Sequence, residues 1–293
     1  MANILGGLES LGLKNTGKID IFQKEEEKKQ EKPKEEEKPK EEVVVKEIDL
    51  LFDKTYHCAA CDKQFKAKTV RKGRVHLEAT DRDFKPNYKE MDSLKYDAIM
   101  CPRCGYAVLS SMDKPLMSRQ IKNIRDNISQ KFFYQAPPDG PYSYEDAILR
   151  HKMALLSTVV KQGKNSEKAY VCLKLAWLCR NYCRELDKEK KLTPEKKKEL
   201  NDLEKEYLNN AFEGFDVAYS REDFPICNMD RHTLSLLMAQ ISFEVANYRG
   251  AIKYVNGLLE SRTTPSRIRE RTIEIKEELR AIVAKKKEEE AKQ

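Results

Sequence analysis

Apolar residues recur along this chain at two periods, and the change of period divides it. Between residues 47 and 118 short runs alternate: Phe65, Ala67 and Thr69, then Tyr96, Ala98 and Met100, then Ala107 and Leu109. A period of two lets a β-strand bury one face. From about residue 119 the period is helical to the end. Ile121, Ile124, Ile128 and Phe132 share one helix face, which the turn APPDGPYS at 136–143 stops. Ser143 to Asp146 reads as a capping box ahead of Ile148, Leu149 and Leu155. Ser166 starts a helix through Trp177, and Thr193-Pro194 is a cap with a first-turn proline for a helix carrying Leu200, Leu203, Tyr207, Ala211 and Phe215. Asp230 opens the next helix, with Leu236, Ala239 and Phe243 on one face. Tyr248 then sits in a short turn before Ala251, Ile252, Val255 and Leu259 form the facing helix. Thr264-Pro265 opens the last helix, which fades into KKKEEEAKQ.

The pattern predicts an α+β multidomain chain: a small β module over 47–118 and an all-α domain over 119–293. Two segments precede them. Residues 24–46 hold eight Lys, nine Glu, two prolines and no aromatic residue. Such a composition cannot offset its ordering entropy by burial, so a disordered linker is expected. Residues 1–23 carry Ile4, Leu8 and Leu11 at helical spacing, which suits a docking peptide on a charged tether or a terminus with no role. Gly12 to Lys18 imitates a phosphate-binding loop, but Ile19 stands where Ser or Thr is required.

Composition narrows the class. Charged residues make up 36% of 293 residues, and the mean hydropathy is −0.75. No apolar run approaches the roughly 20 residues of a spanning helix, and MANILGGLES does not read as a secretory signal. The net charge of +7 is too mild to require a nucleic-acid partner.

The chemistry concentrates in Cys58-Ala-Ala-Cys61 and Cys101-Pro-Arg-Cys104-Gly105. Each C-x-x-C turn aims two thiolates at one point about 2.3 Å away, with backbone N–H groups directed at the sulfurs. The residue after the second Cys needs a left-handed conformation, which Gly105 adopts freely and Asp62 tolerates. A closed four-cysteine zinc site capping two hairpins follows, its 39-residue spacer holding an insertion with a strand near Val75–Leu77 and the loop DRDFKPNY. Four thiolates also suit iron. The rival arrangement uses His57 or His76 at an open catalytic position; a dithiol switch would need a helix N-terminus that nothing places here. Beside the first knuckle, Lys63, Lys66, Lys68, Arg71, Lys72 and Arg74 form either a nucleic-acid-binding face or a solvated hairpin offsetting the charge of the metal–thiolate centre.

Cys172, Cys179 and Cys183 fall on one helix face and read as core packing; a second metal site would need Cys227 as well. His151 and His232 have no nucleophile or carboxylate partner in sequence. Four histidines are a poor stock for acid–base work, so no catalytic residue is assigned.

The large–small–large pattern around Ala239 and Ala251 is similar to a tetratricopeptide unit, although Ser235 and Ser242 stand where that repeat often has aromatic residues. Residues 144–187 read as a looser copy, and a plain helical bundle is the alternative. Taken in order, LLFDKTYHCAACDKQFKAKTVR, DFKPNY, YDAIMCPRCGYAV and AWLCRNY resemble the bacterial family called domain of unknown function 2225, over roughly residues 48–260. The resemblance implies zinc held by Cys58, Cys61, Cys101 and Cys104 in a cytoplasmic bacterial protein with repeat-like helices, and carries over no catalytic residue. The expected function is a non-enzymatic zinc-binding adaptor that holds a protein partner on its helices; the alternative is a nucleic-acid-binding regulator using the basic hairpin. Metal removal is expected to melt the β module and spare most of the helical signal.

Overall fold

The computed structural model describes residues 46–290. The expected N-terminal docking segment, and the linker apart from Lys46, lie outside the described residues. The described residues belong to one compact unit.

Three antiparallel hairpins come first. β1 (Leu51–His57) pairs with β2 (Gln64–Val70), from Leu51 opposite Val70 to His57 opposite Gln64. The insertion is the hairpin of β3 (Leu77–Thr80) and β4 (Pro86–Tyr88), and β5 (Ala98–Met100) pairs with β6 (Ala107–Leu109). The helices are α1 (Ser118–Ile124), α2 (Tyr144–Val160), α3 (Asn165–Lys188), α4 (Pro194–Arg221), α5 (Arg231–Glu244), α6 (Tyr248–Glu260) and α7 (Ser266–Glu290). Their starts follow from local chemistry. Ser143 Oγ accepts the Asp146 N–H at 3.1 Å while Asp146 Oδ2 accepts the Ser143 N–H at 3.2 Å. Thr193 Oγ1 and Asp230 Oδ1 accept N–H groups of Lys196 and Thr233 in the same way.

Three local expectations change. The helix face from Ile121 to Phe132 is not one helix: α1 passes into a π-helical turn at Arg125–Ser129, which still turns Ile124 and Ile128 inward, and Phe132 leaves it to meet Gly105. Tyr248 is the first residue of α6, not part of the turn, because Asn247 Oδ1 caps the helix by accepting the Gly250 N–H at 3.1 Å. The buried face of α6 is Ala251, Tyr254, Val255 and Leu258, which leaves Ile252 exposed.

The β5–β6 hairpin shows no exposed alternate face, because both of its faces are covered. Ala98, Met100, Ala107 and Leu109 pack with Ala154 of α2 and with Val171 and Leu175 of α3. Tyr106 and Val108 pack with Cys58, Cys101, Cys104 and Ile124. Apolar packing therefore runs without a break across residue 118, and the cysteine knuckles and the helices share walls.

The insertion supplies a second bond between the halves. Its loop between β3 and β4 buries Asp83 and Lys85 completely. Trp177 Nε1 donates to Asp83 Oδ2 at 2.7 Å, and Arg180 Nη1 lies 2.8 Å from the same oxygen. The Arg180 guanidinium also holds Glu204 Oε1 at 2.6 Å and Glu244 Oε2 at 2.9 Å, joining α3, α4 and α5 around one cation. Burial alone would lower the Arg180 pKa, but Asp83, Glu204 and Glu244 outweigh it and keep the cation. Lys85 Nζ donates to Asn87 Oδ1 and lies 3.6 Å from Asp81 Oδ2. Phe84, at a φ of 65°, packs on the main helical core under Arg271 of α7, whose guanidinium carbon is 4.9 Å from the ring centroid.

Candidate metal centre

The two knuckles are built alike. Cys58 N–H donates to Lys63 O at 3.0 Å and Asp62 N–H returns to Cys58 O at 2.9 Å. Cys101 N–H donates to Tyr106 O at 2.9 Å and Gly105 N–H returns to Cys101 O at 3.0 Å. These bonds close each turn so that both of its thiols face the same side. The left-handed residues fall where the spacing requires them, Asp62 at φ 60° and Gly105 at φ 73°. Only glycine fits the second position. A Cβ on residue 105 would lie 2.5 Å from Cδ2 of the Phe132 ring, so an added methyl meets steric overlap as well as backbone strain.

Together the knuckles bring Cys58, Cys61, Cys101 and Cys104 into one group with all sulfurs within 4.8 Å of one another. Cys58 Sγ is 3.6 Å from Cys104 Sγ, and Cys61 Sγ is 3.8 Å from Cys101 Sγ. Four sulfurs about 2.3 Å from a central ion in a tetrahedron stand about 3.8 Å apart. The group therefore fits a tetrahedral metal ion, and it contains no disulfide. Cys58, Cys101 and Cys104 are buried and Cys61 is half-buried, under an apolar cover that includes Tyr106, Val108 and Ile124. Hydrogen bonds from the thiols of Cys104 and Cys58, with backbone N–H groups of Cys104 and Arg103, hold the Cys101 thiol far below its usual range. The hydrogen bond to Cys101 correspondingly holds Cys58 up. A dication at the centre would favour the thiolate form of all four.

Neither neighbouring histidine joins the cluster. His57 Nε2 turns to Asp62 Oδ1 at 3.1 Å, and His76 Nδ1 to Glu90 Oε1 at 2.7 Å. Among the described residues these four cysteines are the one group of histidines, cysteines and carboxylates close enough to hold an ion. Cys172 and Cys179 are buried and Cys183 is half-buried on α3, while Cys227 Sγ donates to Ser166 O at 3.4 Å. Burial pushes the thiols of Cys172, Cys179 and Cys227 up to about 11, 12 and 12, as packing residues and not nucleophiles require.

The six basic residues do not act alike. Lys68 is bound by Asp53 at 3.0 Å, and Arg71 donates to Leu51 O at 3.0 Å while lying over Phe52. Lys63, Lys66, Lys72 and Arg74 are exposed and have no ion-pair partner among the described residues.

His151 lies fully inside α2's buried face, where Nδ1–H donates to Ala147 O at 2.7 Å and Nε2 has no partner. Burial holds its pKa down to about 4 from 6.5. A base with a depressed folded pKa stabilises the fold fully above the unfolded value and loses that contribution as pH falls through the folded one. Acidification from pH 6.5 to 4 is therefore expected to cost roughly 3 kcal/mol through this residue. Denaturant titrations of wild type and His151→Gln over that range check it: parallel pH profiles would show that His151 contributes nothing.

The role of DFKPNY as a buried ionic plug was not legible in sequence, because Trp177 stands 94 positions from Asp83. The one local signal is Phe84 between the charges of Asp83 and Lys85.

No curated protein and no solved structure matches this chain. The family model described as uncharacterised protein conserved in bacteria does match it, over residues 51–281. Both knuckles and all seven helices begin within that span, so the chain belongs to the bacterial family called domain of unknown function 2225.

Proposed function

We propose that this protein is a non-catalytic adaptor in which a structural zinc ion locks the knuckles onto a tetratricopeptide-like helical scaffold that holds a partner protein. Zinc suits a set of four thiolates with no open position, and a colourless metal-loaded protein separates it from iron. Ala239 and Ala251, both fully buried at the small positions facing across α5 and α6, support the repeat-like reading. The observation that carries the partner is on α2. Leu149, Leu156 and Val159 are 53%, 45% and 51% exposed on one side of that helix. Phe132 and Met153 pack on one cluster beside it, and Phe133 and Tyr134 follow, 83% and 63% exposed. Exposed apolar side chains on one side of α2 fit the apolar face of an amphipathic helix.

Capture from the native host after nuclease treatment, with wild type and Leu149→Glu/Leu156→Glu, tests this reading. Wild type is expected to retain a discrete protein that the variant loses while melting at the same temperature. Identical capture by both proteins would sink it.

The free lysines of the knuckle hairpin favour a second reading, a nucleic-acid contact. It predicts binding that weakens with salt at a slope of about −0.9 per phosphate neutralised. Lys63→Ala/Lys66→Ala should then lower that slope by about 2. Salt-insensitive binding that survives both substitutions would reject it.

A further inference from the structure

A cavity of about 480 Å³ opens between the hairpins and α3, and none of the four clustered cysteines lines it. Its walls come from six separate stretches that only the tertiary structure brings together: the end of β2 with Lys72, Val75, β4, residues 93–97, Ser110–Ser111 and the Tyr170–Lys174 turn of α3. Its size is within the roughly 300–1,000 Å³ of small-molecule sites, and a seam between two structural layers is where such sites concentrate.

The lining is chemically divided. Lys174 is buried in the floor, its ammonium 2.6 Å from Asp97 Oδ2 and 5.3 Å from the Tyr170 ring centroid. Burial works against the Lys174 ammonium, but Asp97 outweighs it and raises the pKa above the ordinary lysine value. Tyr170 and Tyr88 both line the cavity. At the rim the Lys72 ammonium and the Ser110 and Ser111 hydroxyls are exposed and have no side-chain partner among the described residues. Two cations against one carboxylate leave the lining with a net positive charge. The exposed Arg71 and Arg74 on either side of Lys72 extend that field outward.

We infer that this cavity is a binding site for a phosphate monoester carried on a planar ring, the chemistry of a nucleoside monophosphate. The cation and paired serine hydroxyls at the rim suit the several acceptor oxygens of a phosphate better than the two of a carboxylate. The aromatic rings of Tyr88 and Tyr170 in the lining suit a planar ring as ligand. Lys174, already paired with Asp97, shapes the floor and is not the anion's counter-ion. The inference is independent of the adaptor reading, which uses exposed residues of α2, none of which lines the cavity.

Isothermal titration of the metal-loaded full chain with adenosine monophosphate tests it, with adenosine and inorganic phosphate as separate arms. Two variants are read alongside: Lys72→Glu, which reverses the rim charge, and Ser111→Trp, which plugs the mouth. Both positions are exposed, so circular dichroism melts should match wild type. Adenosine monophosphate is expected to bind, adenosine and phosphate each at least tenfold more weakly, and each variant to lose at least tenfold in affinity. No binding of adenosine monophosphate at millimolar concentration would overturn the site. Binding equal to that of phosphate alone, or binding unchanged in either variant, would do the same. Capture of a partner on α2 would be unaffected by any of these results.

Discussion

Cys104→Ser is expected to lower bound metal from one ion per chain to a small fraction and to destabilise the helices along with the hairpins. An ion held by the four thiols would join two turns, and an isolated two-stranded hairpin is marginal at best in water. Metal-binding free energy in such a module is folding free energy, so losing a ligand should cost more than about 4 kcal/mol. The structure changes where that cost appears. Ala98, Met100, Ala107 and Leu109 cover Ala154, Val171 and Leu175, and Ala107 N–H donates to Ser157 Oγ of α2 at 3.1 Å. Fraying the knuckle uncovers the side of α2 and α3, so the far-ultraviolet helical signal should melt earlier together with the hairpins instead of surviving them. Elemental analysis and thermal melts with and without chelator provide the check. A chelated protein whose helices melt at the native temperature would show that the two halves are energetically separate after all.

The second large effect is expected at Arg180→Met. One guanidinium there serves Asp83, Glu204 and Glu244, three carboxylates carried by the insertion loop, α4 and α5. Removing it leaves buried negative charges facing one another, a loss of about 3–5 kcal/mol for a broken buried pair. The loss should depend on pH. Burial first, and then Asp83, push the Glu244 carboxyl up to about 6 even with Arg180 present. A carboxyl raised in the folded state favours the fold when protonated, so the variant should recover part of its stability as pH falls toward 5. Urea titrations at pH 7.5 and pH 5 measure both parts. A loss under 1 kcal/mol at pH 7.5 would mean that solvent already screens the cluster.

What could be read from the sequence and what could not divides by distance along the chain. Cys58 with Cys61, and Cys101 with Cys104, were legible as knuckles because every bond that shapes each turn closes within five residues. The left-handed Asp62 and Gly105 and the caps at Ser143, Thr193 and Asp230 were legible for the same reason. Period alone could not say that β5 has no solvent face, since the residues covering it lie on α2 and α3. Nor could it say that Ile252 points outward while Tyr254 points in, a rotation set by the helices packed on α6.

The sequence by itself determined the two cysteine knuckles, the turn from hairpins to helices and most helix starts, because backbone geometry and capping are local. The tertiary structure alone decided the burial of Asp83 against Trp177 and Arg180, the common wall between knuckle and helices, and the cavity between β4 and α3. Each of these depends on residues dozens of positions apart, whose meeting is fixed only when the whole core closes and desolvates them together.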